Sequence, residues 1–177
     1  MKIICFGDSN TYGYDPRSWC GSRYNEGSRW VDILAAKTGW TFINMGQNGL
    51  EIPSTAPQFP ADTDLLIVML GTNDLLEGHR PEEAAEKLER FLSGIFLERS
   101  KILLIAPPPV SMGEWVPSQQ CIDASRLFAQ CCRSVAVQLG VRFADAGKWG
   151  ISMAYDGVHF TEQGHRAFAT GLLEILK

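Results

Sequence analysis

No apolar run in this 177-residue sequence comes near the roughly 20 residues that a transmembrane helix needs. The amino-terminal residues carry neither the basic region nor the long apolar core of a secretion signal. The opening apolar stretch starts at Lys2 and is only about five residues long. Basic charge is not in excess: 16 Lys and Arg stand against 20 Asp and Glu, a formal net charge of −4. That balance leaves no electrostatic footprint for nucleic acid or an anionic membrane. Cysteine pairs are missing too. Cys5, Cys20, Cys121, Cys131 and Cys132 are odd in number and contain no Cys-x-x-Cys unit. A disulfide framework or a zinc site is therefore not expected, and a reducing cytoplasm suits the chain. Repeats and low-complexity linkers are absent, and the length fits one domain over residues 1–177. Histidine is sparse, so any histidine base must be His79, His159 or His165.

What is present is 45% hydrophobic, enough for a chain this long to bury about 70% of its unfolded surface. Short apolar runs at 2–6, 40–44, 64–70, 101–106 and 141–145 read as five strands. Helical stretches lie between them. Ser28 is the expected cap of a helix to about Thr38, Pro81 opens one to about Glu98, and Ser118 caps one to about Leu139. Thr161 caps the last, to about Leu176. Strand–helix alternation implies right-handed crossovers and a parallel sheet. The expected fold is α/β: a three-layer α/β/α sandwich whose five-stranded parallel sheet has the flavodoxin-like order 2-1-3-4-5.

In such sheets ligands bind beyond the carboxyl ends of the strands. Three polar or glycine-rich segments sit there, Gly7-Asp8-Ser9-Asn10, Asn44 to Gly49 and Gly71-Thr72-Asn73-Asp74, and a fourth, Asp156 to Thr161, precedes the last helix on a loop long enough to reach back. The first strand runs straight into Ser9, a candidate nucleophile. His159, three residues after Asp156, is its candidate base, since one carboxylate can reach the imidazole across a tight turn and hold its tautomer. The Ser9 N–H, the Gly49 N–H and the Asn73 amide are candidate donors to an oxyanion. A serine after a strand also serves as a turn or helix cap, and Asn73 and Asp74 also suit an Asx turn. Asp8 reads as structural, His79 as solvated and His165 as surface or packing. Tyr14, Tyr12 and Trp115 are the candidate substrate-contacting aromatics, with Trp19 and Tyr24 crowding the same loop.

Gly-Asp-Ser at 7–9, Gly49, Gly-Thr-Asn-Asp at 71–74 and Asp-x-x-His at 156–159 resemble the four blocks of the SGNH (GDSL-type) hydrolases. The resemblance covers nearly the whole chain. It implies Ser9, Gly49, Asn73 and His159 as the four named residues, with Asp156 completing a triad. Thr-Tyr-Gly-Tyr at 11–14 and Pro-Pro-Pro at 107–109 look most like the compact arylesterase/acyltransferase branch. The leucine common after the serine is Asn10 here, a position to which this reading gives no catalytic role. The chain is short, and lacks the long loops with which some relatives assemble or enclose substrate.

The expected function is hydrolysis of short-chain esters, acetyl above all, through an acyl-serine, with no metal and no cofactor. The expected partner is a small-molecule ester, not nucleic acid or a membrane. An exposed aromatic loop also leaves room for a homo-oligomer. Transfer of the acyl group to an alcohol is the first alternative. A flavodoxin-like nucleotide or flavin module is the second, disfavoured because the loop after strand one lacks a phosphate-cradling Ser/Thr/Gly run and carries Asp8.

Overall fold

Lys2–Gly7 (β1), Leu65–Met69 (β3) and Ile102–Ala106 (β4) are short runs of mostly β-branched and aliphatic residues, and nearly every side chain in them is buried. Both faces are covered, which is why these strands show no polar alternation. In the computed structural model, which describes residues 1–18 and 20–177, they form the centre of a parallel sheet. Trp19 lies outside the described residues. Thr41–Gly46 (β2) and Arg142–Asp145 (β5) complete it at the two edges, in the order β2-β1-β3-β4-β5. The sheet thus has the expected order, and β1 pairs with both β2 and β3.

The period-2 geometry of a strand sends neighbouring side chains to opposite faces. Ile4, Phe6, Leu66, Val68, Ile102 and Leu104 pack on one side against Pro81–Ser93 (α4) and Gln119–Leu139 (α5). Ile3, Cys5, Ile67, Met69 and Leu103 pack on the other against Trp30–Thr38 (α2) and Glu162–Leu176 (α6). The result is the three-layer sandwich. No helix among the described residues is long and apolar enough to cross a membrane.

Local corrections concern ends and short helices. Ser28 does not cap α2; it closes a tight turn at Glu26–Ser28, and its hydroxyl donates to Glu162 instead (2.8 Å). Helix α4 stops at Ser93, not Glu98, because the Arg99 guanidinium bonds the terminal carbonyls of Leu92 (2.7 Å) and Ser93 (3.3 Å). Strand β2 continues to Gly46, two residues into the segment read as loop. Two short helices replace expected loop: Ser9–Tyr12 (α1) and Thr72–Leu76 (α3). Gly71 enters α3 at φ 112°, and a Cβ there would lie 2.3 Å from the Phe128 ring. Only glycine allows both that backbone and that approach.

Candidate active site

The strand order brings the ends of β1, β2 and β3 together. Directly after β1, Asp8 caps α1 by accepting the Asn10 N–H (2.9 Å), so Ser9 is the first residue of that helix. The Asn44 amide at the end of β2 donates to the Thr11 carbonyl (2.8 Å) and ties α1 to its neighbour. After β3, Asn73 donates through Nδ2 to the Leu50 carbonyl (3.0 Å). One amide hydrogen is used there, which leaves its second free. The fourth segment reaches back from beyond β5. Its backbone is held by bonds from Ser111 N–H to the Gly157 carbonyl (2.9 Å) and from Trp115 N–H to the Asp156 carbonyl (3.0 Å).

Ser9, His159 and Asp156 form one hydrogen-bonded line. Ser9 Oγ lies 2.9 Å from His159 Nε2, and His159 Nδ1 lies 2.7 Å from Asp156 Oδ2. All three residues are buried. Asp156 Oδ1 also accepts the backbone N–H groups of Val158 and His159, both at 2.9 Å. Burial pushes the Asp156 carboxyl up. The bond to the His159 ring and the two backbone bonds outweigh it, and the net shift is downward. Asp156 is therefore ionised at neutral pH beside an imidazole whose tautomer it sets. Among the described residues, the N–H groups of Ser9 and Gly49 have no protein acceptor. Gly49 holds φ 70°, a conformation that turns its N–H without steric cost.

Ser9, Tyr14, Asn48, Gly49, Asn73, Trp115 and His159 line one cavity of about 230 Å³. The Tyr14 ring is 4.5 Å from the imidazole, and Trp115 meets it edge-on at 5.1 Å. Tyr12 is a correction: it does not line this cavity. Gly13 ends α1, and the Tyr12 ring instead lies under the Arg23 guanidinium at 4.6 Å. Asn48 is a lining residue that the sequence reading missed, although it stands in the glycine-rich segment already singled out. A larger depression of about 500 Å³, lined by Glu26, Asp32 and Lys37 among others, holds no serine–histidine pair.

Neighbouring ionisable groups serve the framework. Burial pushes the Asp8 carboxyl up to about 6, against the Asn10 N–H and His159, which pull it down. Asp74 is fully buried; it accepts the Ile52 N–H (2.9 Å) and pairs with Lys87. Asp74, Glu51 and His79 lie close enough to resemble a metal site. The Lys87 ammonium, bonded to both Asp74 and Glu51, already supplies the cation there.

His165 is wholly buried within α6, edge-on to Tyr24 (5.4 Å) and Phe160 (5.3 Å), with no protein partner for either ring nitrogen. Burial, reinforced by Arg29 and His159, lowers its pKa to about 3. The unfolded chain takes up this proton below about pH 6.5, whereas the folded chain waits until about 3. Stability from this group is thus full above pH 6.5 and falls as pH drops below it. His165→Phe should lose about 2 kcal/mol less stability than wild type between pH 6.5 and 5. Urea unfolding at the two pH values measures the difference.

The model of the GDSL-like lipase/acylhydrolase family matches residues 5–167. A GDSL esterase/lipase of Oryza sativa subsp. japonica is 20% identical over 207 residues, 99% of this chain and 77% of the rice protein. The native aryl esterase of M. smegmatis superposes with a TM-score of 0.78 at 25% identity, covering 99% of this chain and 97% of its own. A carbohydrate acetylesterase family member from Sinorhizobium meliloti shares the fold with a TM-score of 0.82 at 23% identity, over 99% and 96% of the two chains. With the four sequence blocks converging on one cavity in this fold, the chain belongs to the GDSL-like lipase/acylhydrolase family and is a carboxylic ester hydrolase.

Proposed function

We propose that the protein hydrolyses short-chain carboxylic esters, acetyl esters foremost, through an acyl-serine intermediate. The observation that carries this reading is the Ser9–His159–Asp156 line opening on a small cavity. Ser9 Oγ attacks the ester carbonyl carbon while His159 Nε2 takes its proton. The carbonyl electrons move to oxygen, where the N–H groups of Ser9 and Gly49 and the free Asn73 amide hydrogen receive the charge. Each such donor is worth about 100- to 1,000-fold in turnover. Collapse breaks the bond to the alcohol, which leaves with the proton from His159. Water then attacks the acyl-serine by the same route, and the acid departs.

The short acyl preference rests on volume. A cavity of about 230 Å³ is smaller than the roughly 300–1,000 Å³ of drug-sized ligand clefts. The test is a series of p-nitrophenyl esters, a probe chemistry suited to the aryl esterase likeness. We expect kcat/KM to fall at least about tenfold from acetate to dodecanoate, since each misfit methylene costs about 1–3 kcal/mol. Comparable rates at both ends would sink the short-chain reading.

Acyl transfer is the second reading, supported by the Tyr14 and Trp115 rings against His159. Aromatic walls restrict water at the acyl group. Product analysis with added alcohol separates transfer from hydrolysis. Family membership sets aside the nucleotide- or flavin-binding module.

A further inference from the structure

Asn10 follows the proposed nucleophile and is almost wholly buried (5% exposed). Both ends of its amide are used. Oδ1 accepts the Phe160 N–H at 2.9 Å, and Nδ2 donates to the Val158 carbonyl at 3.1 Å. These two partners flank His159 in the chain. One amide therefore grips the backbone on each side of the imidazole-bearing residue. The amide orientation is unambiguous, because a donor faces one end and an acceptor the other. Asn10 is itself anchored: its N–H donates to Asp8 Oδ1 (2.9 Å), and its carbonyl accepts the Trp30 indole N–H (2.9 Å).

We propose that Asn10 is a positioning residue, a clamp that sets the distance between Ser9 and His159. The inference rests on the reading of those two residues as nucleophile and base. Asp156 fixes how the imidazole is rotated, but it belongs to the same loop as His159 and cannot set where that loop stands relative to α1. Ser9 and His159 are 150 residues apart in sequence. Among the described side chains, the bonds between α1 and the loop are the two from Asn10 and the Ser9–His159 contact itself. A leucine at this position would fill the volume and supply neither bond. It would leave the Phe160 N–H and the Val158 carbonyl unpaired in the interior.

The test compares Asn10→Ala and Asn10→Asp with wild type on p-nitrophenyl acetate, reading kcat, KM, the pH profile and the melting temperature. For Asn10→Ala we expect kcat to fall about 10- to 100-fold, with KM changed less than about threefold, the signature of a misplaced reacting group. Asn10→Asp gives a sharper readout. A protonated carboxyl can accept from Phe160 and donate to Val158, so it restores the clamp. An ionised one turns a second oxygen toward the Val158 carbonyl and breaks it. Asp8, which accepts the N–H of residue 10, and the ionised Asp156, which accepts the Val158 N–H, raise its titration together with burial, and an imidazolium at His159 opposes them. We expect Asn10→Asp to recover activity at low pH relative to Asn10→Ala, and kcat to decline with rising pH along a limb absent from wild type. A merely structural Asn10 would lower the melting temperature, leave kcat of the folded variants at the wild-type level and add no limb; that result overturns the clamp. Should Asn10→Ala not fold, the near-isosteric Asn10→Asp decides by the same criteria. Activity persisting in folded Ser9→Ala would instead overturn the underlying nucleophile reading. A silent Ser9→Ala beside wild-type kcat in Asn10→Ala overturns the clamp alone.

Discussion

Ser9→Ala should lower kcat on p-nitrophenyl acetate by about 10⁴- to 10⁶-fold while the protein stays folded. The size follows from what the hydroxyl does. Ser9 Oγ has one protein partner, His159 Nε2, and faces a cavity rather than the core. Alanine keeps the backbone of α1, the Asp8 cap and the N–H of residue 9, so the proposed oxyanion donors persist. What disappears is the atom that would form the acyl bond in the proposed mechanism. The remaining rate is that of water acting in a site still able to bind the oxyanion. Stability should change by less than about 1 kcal/mol, since one hydrogen bond is lost and no large void is made. Initial rates and melting curves on the same preparations check both halves. Equal rates in a folded Ser9→Ala protein would place the chemistry on another nucleophile.

Asp156→Asn carries the second-largest effect, a loss of about 10⁴-fold in kcat. Asparagine can keep the Oδ1 role, because its carbonyl oxygen still accepts the Val158 and His159 N–H groups. The loop therefore keeps its shape. The change falls on the other branch, where an amide N–H now faces His159 Nδ1 in place of the carboxylate oxygen at 2.7 Å. Nδ1 must then accept, which moves the ring proton to Nε2. In the proposed mechanism that nitrogen takes the proton from Ser9, so the base would be blocked by tautomer and not by displacement. The ionised carboxylate that steadies the imidazolium is lost as well. A nearly unchanged KM with the collapsed kcat is the expected pattern; a mere tenfold fall would mean that Asp156 only shapes the loop.

Legibility varied with the range of the interaction. The strands β1, β3 and β4 could be read directly because burial on both faces leaves continuous apolar runs, with glycine, aspartate or proline at their ends. The Asp156–His159 contact was legible because three residues across a glycine turn suffice to make it. Helices α1 and α3 were not. At four and five residues they are too short for a helical period to show. Ser28 was misread because a hydroxyl before a helix has other partners available, and Glu162 on a distant helix proved to be one.

The sequence by itself determined the alternation of strands and helices, the parity that sends Ile4 and Phe6 to one side of the sheet and Ile3 and Cys5 to the other, and the chemical identity of the four blocks. Those properties depend on residue type and near neighbours. The tertiary structure decided which blocks meet and which side chains face the cavity. Tyr12 and Tyr14 are two residues apart in equivalent-looking sequence, yet the turn at Gly13 puts Tyr14 against the imidazole and Tyr12 under Arg23. Asn10 has no catalytic role in the sequence pattern, and its contacts exist only because the loop before α6 folds over it. Its two bonds join segments 148 and 150 residues away. Hydrogen bonds of that span depend on how the layers close around the sheet, a property that no local pattern encodes.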